Sequence, residues 1–199
     1  MHLILASASP QRRTLLDGLG VSFDVVPSDV DEAACSVKNP VERARMLACL
    51  KARDVAAKHP NTFVLGCDTL VVASDGTLLE KPADANEARR MITMQSGKTS
   101  LVHSGLCLID SKGEEHVDVS SSSVTFAALG DAEIDAWIAS DLWRDRSGGF
   151  QIDGRGQFLI AHIEGDWTGV VGLSVFLLGK LFGETGFSLQ KPKKQKTKK

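Results

Sequence analysis

The stretch Thr62–Ala73, TFVLGCDTLVVA, constrains this chain of 199 residues more than any other. It is a strongly β-forming run, and Asp75-Gly76 just beyond it is a hairpin turn signal leading into Thr77-Leu78-Leu79. One acid, Asp68, stands inside the run. A carboxylate in so apolar a strand is expensive to bury unless it pairs with a cation or binds a metal. The plainer alternative is an Asp that sits at a bulge or caps its own backbone.

Around this strand the sequence alternates strand and helix signals. His2–Ala6 reads as a buried strand, followed at once by Ser7-Ala8-Ser9-Pro10, with Ser9 placed as an N-cap and Pro10 as the first helical residue. That helix runs to about Leu19 and ends at Gly20. A second strand covers Val21–Val26. Asn39-Pro40-Val41-Glu42 starts a helix reaching about Lys58. Asp84 with Glu87 starts another, ended by Gly97. Thr99–Ile109 and Glu115–Phe126 read as a long hairpin around Lys112-Gly113, its second strand alternating and half exposed. Asp131 is read as the cap of a helix to about Ala139. Residues 141–157 are glycine-rich and irregular; Phe158–Ile163 is a strand and Val175–Glu184 a closing helix. Strands alternating with helices, but interrupted by antiparallel hairpins, give a mixed-sheet α/β protein.

Charge is distributed unevenly. The net is −2, yet residues 191–199, KPKKQKTKK, hold six of the 23 basic residues, leaving 17 basic against 25 acidic in the body. That tail cannot bury a core and reads as disordered, with at most weak charge contact to RNA or a membrane. An acidic body is a poor general nucleic-acid binder, so basic groups gathered in one cleft would mark a small anionic ligand. The four cysteines, Cys35, Cys49, Cys67 and Cys107, are widely spaced without a C-x-x-C pair, which argues against a zinc site or a disulfide framework and for single reduced thiols. No apolar run reaches membrane-spanning length and the N-terminus lacks a basic leader, so the expected location is the cytoplasm.

Four places have residue types suited to chemistry. At the first strand-to-helix turn, Ser7, Ser9, Arg12 and Arg13 combine hydroxyls, guanidinium forks and a helix start, a pattern that fits phosphate as well as it fits a merely well-capped helix. Asp31 and Glu32 follow the second strand, where a loop acid is ordinarily just solvated. Asp68 is the third. Glu80-Lys81-Pro82 is the fourth, and Lys51 lies mid-helix; on sequence alone both lysines are ordinary surface residues. Ser96-Gly97-Lys98-Thr99 ends like a phosphate loop, but it lacks the earlier glycine (Ile92 stands there) and follows a helix instead of a strand. His103 and His162 have no metal-ligand spacing.

Taken together, Leu5-Ala6-Ser7-Ala8-Ser9-Pro10-Gln11-Arg12-Arg13, Gly66-Cys67-Asp68-Thr69, Glu80-Lys81-Pro82, Ser96-Gly97-Lys98-Thr99 with Val102-His103-Ser104-Gly105, and Val170-Val171-Gly172-Leu173 resemble the Maf-like nucleoside triphosphate pyrophosphatases. The match runs in order from residue 3 to about 187; residues 1–187 are read as a single domain and 188–199 as a disordered lysine-rich tail. The resemblance implies a mixed α/β fold like that of the inosine-triphosphatase group, with two lobes around a central cleft, and a homodimer. It implies hydrolysis of a nucleoside triphosphate, canonical or modified, to monophosphate and pyrophosphate with magnesium or manganese. Carried over position by position, it makes Asp68 the proton acceptor and places Ser7, Arg12, Glu32, Lys51 and Lys81 along the phosphate and metal site, with Glu32 and Asp68 as metal ligands.

Substrate choice falls on Gln11, Thr69 and Asp153. The branch of the family acting on deoxythymidine and uridine triphosphates usually has Arg, Thr and Gln there; the 7-methylguanosine branch usually has Trp, Gln and Glu. Lys-Ala-Gly-Ala-Tyr of the family is Arg146-Ser147-Gly148-Gly149-Phe150 here. Asp153 is suited to the N1–H and amino edge of a guanine, so a purine or modified-guanine preference is one expectation. The alternative from another functional class is a nucleotide-binding regulatory protein of cell division or septum formation that does not turn its ligand over. A further enzyme alternative is a phosphatase releasing phosphate.

Overall fold

The computed structural model describes residues 1–189; residues 190–199, which hold the lysine run read above as disordered, lie outside them. The chain builds a mixed sheet from β1 (Leu3–Leu5), β2 (Phe23–Val25), β3 (Phe63–Val72), β4 (Leu78–Leu79), β5 (Thr99–Ile109), β6 (Glu115–Phe126) and β7 (Ile160–Glu164). Their order is β2-β1-β3-β5-β6-β7, with β4 paired to β3 off this path. β1 runs parallel to β2 and β3, whereas β4 to β7 join antiparallel. The helices are α1 (Pro10–Gly18), α2 (Pro40–Ala56), α3 (Ala85–Gln95), α4 (Asp131–Ala139), α5 (Trp167–Val171) and α6 (Val175–Thr185).

The period-2 alternation of β3 divides the core. Phe63, Leu65 and Cys67 pack on one face with Leu3, Leu5 and the α6 residues Leu178, Leu181 and Phe182. Val64 points to the other face, against Ala48 and Ala52 of α2. Further along, Val71 enters a third cluster formed with α3, α4 and the residues around Trp143 and Ile152. Asp68 and Thr69 therefore lie where β3 passes from one apolar body to the next.

Two glycines set how closely α2 can approach. A Cβ at Gly66 would collide with the Ala48 carbonyl, and one at Gly105 with the Ala44 carbonyl. Gly105 pairs directly with Asp68 across β3 and β5. With no side chain there, the backbone of α2 settles on the strands, and the next turn of the helix carries Lys51 down to Asp68.

Most helix starts follow the capping chemistry of the sequence. The Asn39 side chain accepts from the backbone N–H of Val41 at 3.0 Å and of Glu42 at 3.1 Å, and Asp84 accepts from Glu87 N–H at 2.9 Å. The expected Asp131 cap is corrected: Gly130 is the cap residue, and the Glu133 carboxylate accepts its N–H at 2.7 Å. Asp131 instead enters the first helical turn, where its charge still suits the dipole. Phe158 is also corrected, since it belongs to a 3-10 turn over Gly154–Leu159 and is 84% exposed; the strand starts only at Ile160. The short α5 and a 3-10 turn at Glu32–Ala34 had no periodicity long enough to announce them. No helix of the described residues is long and apolar enough to cross a membrane.

All four cysteines are free. Two of them are not isolated, however: the Sγ atoms of Cys49 on α2 and Cys107 on β5 lie within 4.8 Å of one another across the same helix–sheet contact. Linear spacing gave no sign of this pair.

Candidate functional site

A cleft of about 620 Å³ opens along the Asp68–Thr69 junction. Its volume suits a nucleotide-sized ligand. The turn after β1, the segment after β2, Lys51 of α2, β3, Lys81, residues 144–153 and the end of α5 all contribute to its walls.

The floor is a charge cluster in which Lys51 and Asp68 are buried and Glu32 is exposed. Lys51 Nζ lies 2.6 Å from Asp68 Oδ1 and 2.8 Å from Glu32 Oε1. Asp68 is 3% exposed, and its other oxygen, Oδ2, is buried without a hydrogen-bond partner. Burial pushes the Asp68 carboxyl above its ordinary value, and the nearby Glu32 charge adds to this; Lys51 and Arg12 oppose the rise without cancelling it. Glu32 moves the other way. Burial works against its charge too, but the Lys51 hydrogen bond and the charges of Lys51, Lys81 and Arg12 outweigh it and lower its pKa. Two carboxylates beside one lysine are thereby driven apart, one toward holding a proton and one toward losing it.

Glu32 reaches the cluster because its 3-10 turn is anchored to α2. Asp31 caps that turn by accepting Ala33 N–H at 3.0 Å. Arg43 donates to the carbonyls of Glu32 and Cys35. Sequence reasoning passed over Arg43 because a helical arginine that binds loop carbonyls looks like any surface arginine.

The second wall is the start of α1. Ser9 caps the helix, accepting the Arg12 N–H at 3.5 Å, and Pro10 occupies the first turn. The Arg12 guanidinium is fixed in three directions: Nη1 donates to Ser7 Oγ at 2.8 Å, Nη2 to Thr69 Oγ1 at 3.2 Å, and Nε to the Gly172 carbonyl at 2.8 Å. Three of its five N–H groups are used, and two remain for an oxyanion. Gly172 holds φ at 131°, a conformation that favours glycine, and this turns its carbonyl toward Arg12.

Of the residues singled out from sequence, Ser7, Ser9, Gln11, Arg12, Glu32, Lys51, Asp68, Thr69, Lys81 and Asp153 all line this cleft. Arg13 does not. It faces solvent with its side chain 68% exposed, 3.7 Å from Asp17 one helical turn on, because a single residue step rotates it away from the wall that Arg12 occupies. Asp31 contributes a cap and not a wall. Ser96-Gly97-Lys98-Thr99 is a structural stop: Gly97 has φ of 67° and Ser96 Oγ accepts from Leu129 N–H at 2.8 Å. His103 is buried against Ser121 Oγ at 2.9 Å, and burial lowers its pKa. The irregular residues 144–147 and 150–153 also form part of the wall, as does Val170–Gly172. Their glycine-rich composition marked a loop without saying what it faced.

The chain as a whole is similar to known proteins. The family model described as "Maf-like protein" matches residues 2–185. A dTTP/UTP pyrophosphatase of Deinococcus radiodurans is 44% identical over 187 residues, covering 94% of each chain. One of Pyrococcus furiosus is 40% identical over 192 residues, covering 95% of this chain and 97% of its own. Among solved structures, a HAM1 protein from Coxiella burnetii superposes with a TM-score of 0.54 over 92% of this chain and 99% of its own, at 14% identity, and thus shares the fold. The Ham1 protein of Staphylococcus aureus does so at 0.51, over 92% of this chain and 100% of its own, also at 14% identity. With its family model matched over nearly the whole length and relatives at 40% identity or above, this chain belongs to the Maf-like protein family.

Proposed function

We propose that the cleft hydrolyses nucleoside triphosphates to a monophosphate and pyrophosphate, with Asp68 as the proton acceptor. The observation that carries this is the buried Asp68 carboxylate, one oxygen held by Lys51 and the other unpartnered, in a cleft lined by cations. The relatives from Deinococcus radiodurans and Pyrococcus furiosus, named dTTP/UTP pyrophosphatases, support the same reaction class.

Each residue then has a task that follows from its position. Arg12, Lys51 and Lys81 supply positive charge to the triphosphate, and the start of α1 adds its backbone dipole. At an effective dielectric near 20, one unit charge about 4 Å from a phosphate oxygen contributes about 4 kcal/mol. Water attacks the α phosphorus; its oxygen bonds to phosphorus as the bridge to the β phosphate breaks and pyrophosphate leaves. The proton lost by the water passes to Asp68 Oδ2. Burial makes that carboxylate more basic than a solvated one, which favours the transfer.

Glu32 and Asp68 also fit a divalent cation. Both offer hard oxygen donors suited to magnesium or manganese, and Lys51 holds only one oxygen of the 53% exposed Glu32 side chain. Such a cation would neutralise triphosphate charge and acidify a bound water.

The experiment is a release assay over ribo- and deoxyribonucleoside triphosphates with magnesium or manganese, resolving pyrophosphate from phosphate. Pyrophosphate with monophosphate is expected. Release of single phosphates would make the protein a phosphatase. Tight nucleotide binding without turnover would favour the regulatory reading.

A further inference from the structure

Outside the cleft, α2 and the sheet enclose a second set of reactive groups. Cys49 and Cys107 belong to one apolar cluster with Ile4, Ala48, Val64 and Ile109, and are 6% and 0% exposed. Their Sγ atoms and a carboxylate oxygen of Glu115 all lie within 4.8 Å of one another. The glycines account for the closeness. Cys107 pairs in register with Gly66 and stands two residues beyond Gly105 on the same face of β5, and α2 rests on both glycines. A helix held off by side chains at those positions would keep the two sulfurs apart.

Two thiols and a carboxylate could hold a soft cation, but the charges here oppose one. Arg53, one turn beyond Cys49, donates Nε and Nη2 to the two oxygens of Glu115 at 2.6 and 2.7 Å, so that carboxylate already has its cation. The same arginine favours a thiolate. The Cys107 thiol lowers the Cys49 pKa most, and Arg53 and Arg45 add to this against burial and the Glu115 charge. Cys107 is pushed the other way by the Cys49 thiol and by burial. One sulfur is readied to attack while the other keeps a proton to give.

We propose that Cys49 and Cys107 are a site of oxidative modification, a dithiol that hydrogen peroxide converts to an intramolecular disulfide tying α2 to β5. The Cys49 thiolate attacks one peroxide oxygen. The S–O bond forms, the O–O bond breaks, and the departing hydroxide recovers the Cys49 proton as water. The Cys107 sulfur then attacks the sulfenic sulfur; the S–S bond forms, the S–O bond breaks, and the second water leaves with the Cys107 proton. The two thiols lose two electrons and the peroxide gains them. The sulfurs must close to about 2.05 Å. β5 is hydrogen-bonded along its length to β3 and β6, so whatever backbone movement the closure takes falls on α2. Lys51 lies two residues beyond Cys49 and moves with it, away from its place 2.6 Å from Asp68. Turnover then falls. That consequence rests on the pyrophosphatase reading; the disulfide does not.

The test treats the full chain with hydrogen peroxide, maps its thiols by alkylation and peptide mass spectrometry, and follows pyrophosphate release before and after dithiothreitol. The expected product has an intrachain Cys49–Cys107 bond and is lighter by two hydrogens. Cys67 should stay reduced, because it is 0% exposed and belongs to the cluster on the other face of β3. Turnover should fall by on the order of 10-fold or more, as displacement of a charged group in the site implies, and return with dithiothreitol. Cys49→Ala and Cys107→Ala should each keep basal turnover and lose both the bond and the peroxide response; either alone serves if the other does not fold. Cys35→Ser should respond as the wild type does. Cys49 and Cys107 that remain alkylatable under peroxide that oxidises Cys35 overturn the proposal. So does Cys49 driven to sulfinic acid beside an unreacted Cys107. Tight zinc binding that shields both thiols from peroxide also overturns it and makes the three groups a metal site. A disulfide that leaves turnover unchanged, or a fall that persists in Cys49→Ala, overturns the coupling to Lys51. If the reduced protein releases no pyrophosphate from any triphosphate, the reaction reading fails by itself, and thiol mapping still decides the disulfide.

Discussion

The Lys51 ammonium stands 2.6 Å from Asp68 Oδ1, although one residue belongs to a helix, the other to the middle of a strand, and 17 positions separate them. The side chains are 10% and 5% exposed, so neither charge has much water to fall back on. A buried pair of this kind adds little net stability, because desolvation offsets much of the attraction. Its consequence is chemical. Lys51 keeps Asp68 ionisable inside an apolar strand, and the buried Oδ2 is left without a hydrogen-bond partner.

Asp68→Asn is expected to abolish turnover while leaving nucleotide affinity and the fold largely intact, since the amide is isosteric and Lys51 keeps Glu32 as a partner at 2.8 Å. Steady-state kinetics with calorimetric binding of the same triphosphate checks this. Activity above about a tenth of wild type would rule out the proton-acceptor role, whose loss should cost on the order of 10²–10⁴-fold.

The pH profile should follow the same carboxylate. The Asp68 pKa is raised, first by burial, so the active, ionised form appears only above the ordinary carboxylate range, and the acid limb of kcat/KM should lie there too. Lys51→Met removes the charge that opposes the rise, and the limb should move to higher pH. Stability has a matching sign. A folded-state pKa above the unfolded one gives a contribution that is full below the unfolded value and is lost as pH rises through the folded one. The Lys51→Met protein should therefore lose more stability at neutral than at mildly acidic pH, as read by denaturant titration at both. An acid limb that stays in place in this variant would mean that another group governs it.

How far the sequence carried the site depended on what each residue's role needed. Asp68 stood out because an acid in an apolar strand contradicts its surroundings, and the strand, the hairpin turn at Asp75-Gly76 and most caps declared themselves locally. Ser7, Arg12 and Lys81 needed the family resemblance to be assigned to one site. Lys51, alone on its helix, looked ordinary because its partner is on another element. Cys49 beside Cys107 is a pairing of the same sort, fixed by the docking of α2 on the sheet, and the Arg43 brace ties α2 to the loop at Glu32 and Cys35; no local periodicity encodes either. Arg13 failed for a simpler reason: two adjacent helical arginines cannot both face one wall.

Gly105→Ala tests whether the glycines set the Lys51–Asp68 distance. The new Cβ would meet the Ala44 carbonyl and force α2 away from β5. Overpacking of this sort should destabilise by about 1–3 kcal/mol. Because α2 carries Lys51, activity at a temperature well below unfolding should also fall, and the acid limb should shift in the direction of Lys51→Met. Gly179→Ala, with nothing within 4 Å of its added Cβ, is the control that should leave activity and profile unchanged. A destabilised Gly105→Ala with wild-type kinetics would show that α2 has slack the packing does not suggest.

Arg12→Lys separates charge from geometry at the phosphate wall. The guanidinium satisfies Ser7 Oγ, Thr69 Oγ1 and the Gly172 carbonyl at once and keeps two N–H groups in reserve. A lysine keeps the charge but has three donors on one atom and no planar fork, so it cannot bind all three partners and a phosphate together. The variant should raise KM and weaken product inhibition by pyrophosphate, with kcat/KM lower by on the order of 10²-fold, the loss of roughly 3 kcal/mol of transition-state binding. If Arg12→Lys instead lowered kcat alone, with KM and pyrophosphate inhibition untouched, Arg12 would be acting on the reacting centre and not as the anchor of the triphosphate.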